Sequence, residues 1–320
     1  MKAAALSLVV LTLNVAGPRR VHQGWPTRRE AIVSRLKTEG ADAAAFQEVW
    51  RGEDLAALGE AADHANRALD ERLGLAVTSR LPIESWVSRD LGGGYGVLRA
   101  RVRSGKSEVD VYSARLEPGD GDAAARRLGQ LFRLSEFIRE ESAARPFVLL
   151  GDLGVDADDR QSSLLLDLLE GRDLCVSHGD EVCGRTLDSR RVDYAVIPYS
   201  SRAPRENARA EFTELLRDED DPPASLHFGL RAVLDEGFLR LKPASQPPGR
   251  DEALATIDEA LEDAAADATL RSAQAGWIPF LGARQAAAAQ DEAARFAAVE
   301  EEVQSARLRA SKRAVPAASD

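Results

Sequence analysis

The chain has 320 residues, 44% of them apolar, which is enough to bury a substantial core in one large domain or two smaller ones. Its formal net charge of −11 argues against broad electrostatic binding of nucleic acid, which needs many lysines and arginines beside the phosphates. No apolar run reaches the roughly 18 residues of a membrane-spanning helix, so no transmembrane span is predicted.

The N-terminal segment MKAAALSLVVLTLNVAG has two interpretations. Lys2, an apolar run and then small residues resemble a signal peptide. The run Leu8–Val15 also fits a buried first strand. We favour the strand, and with it a cytoplasmic over a secreted protein.

Strand-like runs recur along the chain, bounded by Gly, Pro, Asp or Ser, and helical patterns lie between some of them. This interleaving predicts an α/β or α+β domain with layered sheets. The predicted strands are Leu8–Val15, Ala43–Gln47, Leu75–Ser79, Gly96–Val102, Val109–Ala114, Phe147–Leu150, Val192–Ile197 and Gly229–Leu234. The predicted helices cover Arg28–Thr38, Leu128–Ile138 and the surroundings of Leu164–Leu168.

The composition changes after about Lys242, where PASQPPGRDE reads as a linker. Two Ala-rich helical patterns follow, separated by GWIPFLG, and they predict a helical hairpin. We therefore divide the chain into a domain over 1–242, a hairpin over 243–311 and a disordered tail over 312–320. The hairpin is interpreted as a packed or solvated appendage. Its apolar tip, with Trp277 and Phe280, favours peripheral contact with a membrane or a protein as the alternative.

Cysteine and histidine are scarce. Cys175 and Cys183 lie eight residues apart, and we favour two buried thiols over a disulfide because no disulfide framework is apparent. The four histidines show no zinc-binding spacing, and His178 is interpreted as a surface residue. The Gly-rich stretch Asp90–Gly96 lacks the lysine of a phosphate loop and predicts a hairpin turn, and Leu216–Pro223 predicts a solvated loop.

Several polar residues stand where predicted strands begin or end. A carboxylate or amide at such a place can bind a hard cation or a phosphate, although each position alone is a weak signal. The strongest single signal is the run PFVLLGD, because Gly151 allows close backbone approach beside the carboxylate. The candidates are Asn14, Glu48, Asp152, Asp193 and His227.

Taken in order, the motifs resemble the endonuclease/exonuclease/phosphatase superfamily from about Ala5 to Leu234. They are LTLNVAG, AAAFQEVW, GLAVTSRLPI, VDVYSARLEP, RRLGQLFRLSEFI, PFVLLGDLGVD and the closing pair RRVDYAVIP and SLHFGLRAVL. The neutral sphingomyelinase-like branch is the most similar. The resemblance implies an α+β (α/β four-layer) fold, in which two packed mixed β-sheets are flanked by helices and the site lies at the sheet ends. The C-terminal α-helical hairpin is added to it.

The resemblance also implies roles for the candidates. Asn14 and Glu48 would hold Mg²⁺ or Mn²⁺, and Asn14 would also contact phosphate. Asp152 would orient or activate the attacking water. His227 would act as general acid/base or bind the scissile phosphate, with Asp193 in the same catalytic set.

The chain departs from the family pattern at Arg115, Gly154 and Leu226. Arg115 replaces a phosphate-contacting histidine, and we expect it to hold an anion or to pair with Asp152. Gly154 replaces an asparagine that acts in the transition state. Leu226 stands where an acid would orient His227. Together these departures favour impaired or absent hydrolysis.

Three functions remain open from the sequence. The first is a diverged, Mg²⁺-dependent phosphodiesterase/phosphatase-superfamily protein with impaired or absent phosphoester hydrolysis. The second is a residually active sphingomyelinase-like or nuclease-like enzyme. The third is a pseudoenzyme that binds a phosphorylated ligand, such as a phospholipid headgroup, or a lipid surface or protein.

Overall fold

The computed structural model describes residues 7–19, 24–120, 122–142, 145–157, 159–169, 171–177, 180–181, 183–187, 190–198, 208–212, 225–235 and 238. Several predictions fall outside these residues: the domain boundaries at 242 and 311, the helical hairpin, the tail, His178 and the whole Leu216–Pro223 stretch.

Two six-stranded mixed sheets form the centre of the described part of the chain. The first has the order β13-β14-β1-β2-β4-β3, and the second has the order β5-β6-β7-β8-β12-β9. In the first sheet the strands are β1 (Leu8–Asn14), β2 (Ala43–Gln47), β3 (Asn66–Asp70), β4 (Leu75–Ser79), β13 (Ala208–Phe212) and β14 (Leu230–Leu234). In the second they are β5 (Ile83–Gly92), β6 (Tyr95–Ser104), β7 (Ser107–Arg115), β8 (Phe147–Asp152), β9 (Gly171–Asp173) and β12 (Asp193–Pro198). A small separate ladder pairs β10 (Val176–Ser177) with β11 (Asp180–Glu181).

The helices cover the outer faces and complete a four-layer arrangement. They are α1 (Trp25–Glu39), α2 (Gly52–Ala61), α3 (Asp122–Glu141) and α4 (Arg160–Leu169). One buried core lies between α1, α2 and the first sheet, a second lies between the sheets, and a third packs α3 and α4 on the second sheet. Each sheet is therefore apolar on both faces, and the predicted pair of mixed sheets flanked by helices is confirmed.

The apolar run near the N-terminus forms a strand in the structure. Leu8–Asn14 forms a central strand of the first sheet, antiparallel to β14 and parallel to β2. Six of its seven positions are buried. An apolar run fits this place because both faces of the strand are covered.

The missed elements have polar or short sequences. Most of β5 is at least partly exposed at the edge of its sheet, and its sequence IESWVSRDLG gives no continuous apolar run. The strand β13 is also an edge strand, with the sequence ARAEF. The Gly-rich stretch forms the turn between β5 and β6, as predicted.

Two sets of hydrogen bonds hold parts of this fold together. One joins the two sheets, and the other holds the loop that follows β7. Gln47 Nε2 donates to Ser113 Oγ at 3.0 Å, and Ser113 Oγ donates to the carbonyl of Phe46 at 2.9 Å, which ties the first sheet to the second. The buried Arg127 of α3 donates to the carbonyls of Glu117 and Gly119 at 2.7 and 2.8 Å. The loop that follows β7 is therefore fixed from behind.

The prediction of two free thiols is wrong. Cys175 and Cys183 form a disulfide, and both are buried. The antiparallel ladder of β10 and β11 brings the flanking cysteines opposite each other, with 5.0 Å between their Cα atoms. The eight-residue spacing is thus the spacing of a short hairpin, which the sequence pattern did not reveal.

Among the described helices, none combines the length and the apolar character that a membrane crossing requires.

Candidate active site at the sheet ends

One edge of the packed sheets gathers the polar residues that the sequence singled out. The parallel pairs align Asn14 with Gln47 and Arg115 with Asp152, and Asp193 begins β12 opposite Asp152. His227 lies just before β14, whose first residues pair with the end of β1. Strand ends from both sheets therefore meet here. A continuous series of contacts joins Glu48, Asn14, Asp152, His227 and Asp193, and Arg115 contacts Glu48.

Asn14 is fully buried and connects the two sheets. Its Nδ2 donates to Glu48 Oε1 at 3.1 Å and to Asp152 Oδ2 at 3.0 Å. Its Oδ1 accepts from the backbone N–H of Ala16 at 2.9 Å. These partners fix the orientation of the amide, because only its nitrogen can donate to carboxylates and only its oxygen can accept from a backbone N–H. Asn14 thus presents its donor side to the site.

His227 is held by a carboxylate on the opposite sheet. Its Nδ1 hydrogen-bonds Asp193 Oδ2 at 2.9 Å, and its Nε2 lies 3.9 Å from Asp152 Oδ2. All three side chains are nearly excluded from solvent. Since the Asp193 contact fixes the ring, Nε2 is the nitrogen that faces Asp152.

The acid that orients His227 is therefore Asp193, and the inference that Leu226 leaves the ring unoriented is wrong. Leu226 is 63% exposed and is not in this contact. The polar group next to it, Ser225 Oγ, donates to the carbonyl of Asn14 at 2.6 Å and accepts from the N–H of His227 at 3.2 Å. The Ser-x-His segment is positioned by its serine.

Arg115 pairs with Glu48, whereas the sequence suggested Asp152. Its Nε lies 3.2 Å from Glu48 Oε1, and its guanidinium carbon lies 4.8 Å from the centre of the Tyr95 ring. The Nε atom is buried, and its contact with Glu48 is an ion pair without the geometry of a hydrogen bond. No ion pair joins Arg115 to Asp152 within the described part of the chain. Asp152 already accepts from Asn14 and from the backbone N–H of Gly154.

Two glycines shape the loop around Asp152. At Gly151, φ is +149° and a Cβ would overlap the carbonyl oxygen of Ala114 on β7. At Gly154, φ is +62° and a Cβ would stand 2.8 Å from the carbonyl oxygen of Glu117. The missing asparagine at position 154 therefore reflects a loop that closes against the backbone and leaves no room for a side chain.

Burial and neighbouring charges at this edge raise the pKa values of two groups, Asp152 and His227. Burial is the main cause that raises the pKa of Asp152. The charge of His227 opposes that rise, and the charge of Asp193 adds to it. For His227, burial lowers the pKa, but the charge and hydrogen bond of Asp193, with smaller contributions from Asp152 and Glu48, outweigh it and raise the pKa to about 9. His227 is therefore an imidazolium at neutral pH, and Asp152 is a stronger base than an ordinary aspartate.

The sequence reasoning missed Tyr95, Ser225 as a positioning group, and Thr186. Thr186 Oγ1 accepts from the N–H groups of Val192 and Asp193 at 3.0 and 3.1 Å, which fixes the start of β12. No sequence signal pointed to Thr186 or Tyr95, because each acts through residues distant along the chain. Ser225 stood in the quoted Ser-x-His pattern and could have been found there.

The sequence profile of the Endonuclease/Exonuclease/phosphatase family matches residues 11–209. The chain belongs to this family. A search of curated proteins finds no significant match.

Solved structures that share this fold have low sequence identity to the chain. Humanized TDP2 of D. rerio with 14 mutations is 15% identical, with a TM-score of 0.57 over 72% of this chain and 99% of that one. Sphingomyelinase C of Streptomyces griseocarneus is 17% identical, with a TM-score of 0.57 over 71% of this chain and 99% of that one. A beta toxin mutant of Staphylococcus aureus with bound magnesium ions is 14% identical, with a TM-score of 0.57 over 71% of this chain and 99% of that one. At these identities the likeness shows the fold.

The residues present do not fit the divalent metal that the family resemblance implies. Glu48 Oε1 contacts Arg115 and accepts from Asn14, and the oxygen of Asn14 is held by Ala16. Mg²⁺ is bound by oxygen atoms, and an amide nitrogen that donates hydrogen bonds is not a ligand for it. In the ranges that the structure describes, no group of three or more His, Cys, Asp or Glu side chains could hold a metal ion.

Proposed function

We propose that this protein is a diverged phosphodiesterase that binds a phosphoester at the sheet edge and hydrolyses it with impaired efficiency. The observation that carries the proposal is the pairing of His227 with Asp193 beside the buried Asp152. Two groups whose pKa values differ from the ordinary ones, close together at a shared strand edge, are what a proton-transfer site needs.

In the proposed reaction, water attacks phosphorus and the ester P–O bond breaks. Asp152 accepts the proton of the attacking water, a role that its raised pKa supports. His227, held as an imidazolium by Asp193, first neutralises a phosphate oxygen and then donates its Nε2 proton to the leaving alkoxide. Asn14 keeps Asp152 in place through its 3.0 Å hydrogen bond.

The loop after Asp152 gives a reason why hydrolysis would be slow. Gly154 supplies no side-chain donor where the family pattern has an asparagine. Loss of one preorganised donor costs about 10²–10³ in rate. The Mg²⁺ or Mn²⁺ predicted on Asn14 and Glu48 does not fit the donor set, so no step of this proposal passes through a metal.

A second candidate function is a pseudoenzyme that binds a phosphorylated ligand without turnover. The pairing of Arg115 with Glu48 favours it, because a permanent guanidinium charge can attract an anion but cannot take part in proton transfer. For either function we propose a phosphodiester such as a phospholipid headgroup as ligand. The net charge of −11 disfavours nucleic acid. We also propose that the C-terminal hairpin makes peripheral contact with a membrane or a protein.

The test is hydrolysis of bis-p-nitrophenyl phosphate and of sphingomyelin by the wild type, by Asp152→Asn and by His227→Gln. Both substitutions keep the approximate shape of the side chain and remove the proton-transfer function. We expect slow turnover of at least one substrate by the wild type and a loss of about 10²-fold or more in each variant.

The matched control is His64→Gln, since His64 is also a buried and hydrogen-bonded histidine but contacts Thr78 and Ala41 away from the site. Its turnover should equal that of the wild type. If the wild type shows no turnover but still binds inorganic phosphate, the protein is the pseudoenzyme and the proposed slow hydrolysis is wrong.

A further inference from the structure

Glu48, the carboxylate to which the family resemblance assigns the metal, already has a cation beside it. The Arg115 Nε lies 3.2 Å from Glu48 Oε1, and the two side chains are only 15% and 24% exposed. The residue that brings the charge comes from the second sheet, whereas Glu48 follows β2 of the first. The pair therefore links the two sheets at the carboxylate to which the resemblance assigns the metal.

The surroundings of the pair hold it in this arrangement. The guanidinium packs on the Tyr95 ring at 4.8 Å, and Asn14 donates to the same Glu48 oxygen. Glu48 itself has a left-handed backbone conformation, with φ of +60°. Such a conformation is uncommon for a residue with a side chain and persists where its surroundings impose it. The direction of the Glu48 side chain is thus set by the fold before any ligand arrives.

We propose that Arg115 is a built-in cation that takes the place of a divalent metal at Glu48 and keeps such metals out of this site. A metal ion bound at Glu48 Oε1 would have to displace both the guanidinium and the Asn14 amide from that oxygen. The Asn14 oxygen is engaged by the backbone N–H of Ala16 and would add no second ligand beside it. The metal ion would also leave Arg115, whose Nε atom is buried, without the partner of its charge, which is costly for a group that is largely removed from solvent.

The experiment is a titration of the full-length protein with Mn²⁺, read by calorimetry and by the electron paramagnetic resonance of free Mn²⁺. The variants are Glu48→Gln, Arg115→Gln, Arg115→Met and the double variant Arg115→Gln/Glu48→Gln. The Met variant keeps an apolar stem against Tyr95. The matched control is Arg103→Gln, which breaks an arginine–glutamate pair of nearly the same length, 3.1 Å, with Glu84.

We expect no Glu48-dependent Mn²⁺ site in the wild type, so its isotherm should match those of Glu48→Gln and Arg103→Gln. Either Arg115 variant should gain one Mn²⁺ site that binds at least about tenfold more tightly than any Mn²⁺ binding by the wild type. The reason is that a charge-assisted contact that competes for the same Glu48 oxygen is removed. The double variant should lose that site again.

Two results would overturn the proposal. One is a wild-type Mn²⁺ site that Glu48→Gln abolishes, which needs no Arg115 variant to fold. The other is a folded Arg115 variant, judged by circular dichroism, that gains no site. Neither readout depends on turnover, so failure of the proposed hydrolysis and failure of this proposal can be told apart.

Discussion

The two sides of the site differ in burial and in what their charges can do. On the histidine side (Asp152, Asp193 and His227) the side chains are buried, and a 2.9 Å hydrogen bond joins His227 to Asp193. On the glutamate side (Glu48 and Arg115) the two side chains are partly exposed, and they form a 3.2 Å ion pair. The histidine side keeps groups that can gain and lose a proton, whereas the glutamate side holds a charge that is permanent. Of the three departures from the family pattern, Arg115 is the one that belongs to the glutamate side.

The largest effect that would test this contrast is expected for Asp193→Asn. The asparagine keeps the shape but cannot stabilise the imidazolium or hold the same tautomer of His227. By analogy with other carboxylate–histidine pairs, we expect turnover of bis-p-nitrophenyl phosphate to fall by about 10³–10⁴-fold. The control is Asp70→Asn, another buried aspartate, whose partners are Arg72 and Ser88. Equal losses in both variants would show that the effect is a general one on folding.

The same pair predicts how stability depends on pH. The pKa of His227 is about 9 in the folded protein and about 6.5 in the unfolded chain. Because the folded value is the higher one, the contribution is complete below pH 6.5 and is lost as the pH rises through about 9. The free energy of unfolding should fall by something on the order of 3 kcal/mol across this window.

Urea unfolding between pH 6 and 10 measures this slope, and Asp193→Asn should flatten it. His64 is the internal control, because burial lowers the pKa of His64 and its contribution changes only below about pH 6.5. An unchanged slope in Asp193→Asn would contradict the assignment of the shift to this pair.

In the loop after Asp152, Gly154→Ala is expected to destabilise the protein by about 3 kcal/mol. The Cβ would meet the Glu117 carbonyl at 2.8 Å in a left-handed conformation, so strain and overpacking add. Gly40→Ala is the matched control, since Gly40 has φ of +61° with no atom within 4 Å of the added Cβ. It should cost about 1 kcal/mol. Gly154→Asn should fail to raise turnover, and a large gain in rate would mean that the loop opens readily.

The smallest effect is expected for Leu226→Asp, which restores the acid of the family pattern. Because Leu226 is 63% exposed and Asp193 already orients His227, turnover should change by less than about threefold and stability by less than about 0.5 kcal/mol. The sharper form of the test is the double variant Asp193→Asn/Leu226→Asp. Recovery of activity there would show that position 226 can still act on the histidine.

The strand ends and the identity of the polar residues could be predicted because they are local properties of the sequence. Ala43–Gln47 and Leu75–Ser79 were predicted with the bounds that the structure gives, since each begins with a run of apolar residues and ends at a polar one. The partners of the polar residues could not be predicted. Asp193 and His227 are 34 positions apart and lie on different sheets, so their hydrogen bond depends on how the sheets pack. The pairing of Arg115 with Glu48 and not with Asp152 depends likewise on the Tyr95 ring and on the donors that already hydrogen-bond Asp152.

The disulfide between Cys175 and Cys183 has a consequence for how the protein is made. A buried crosslink of this kind forms and persists in oxidising compartments, whereas most cytosols keep such cysteines reduced. Closing a loop of this length contributes about 2.5 kcal/mol in the chain-entropy view. Material from a reducing host should therefore unfold at a lower temperature than material from an oxidising one, and oxidation after purification should remove the difference.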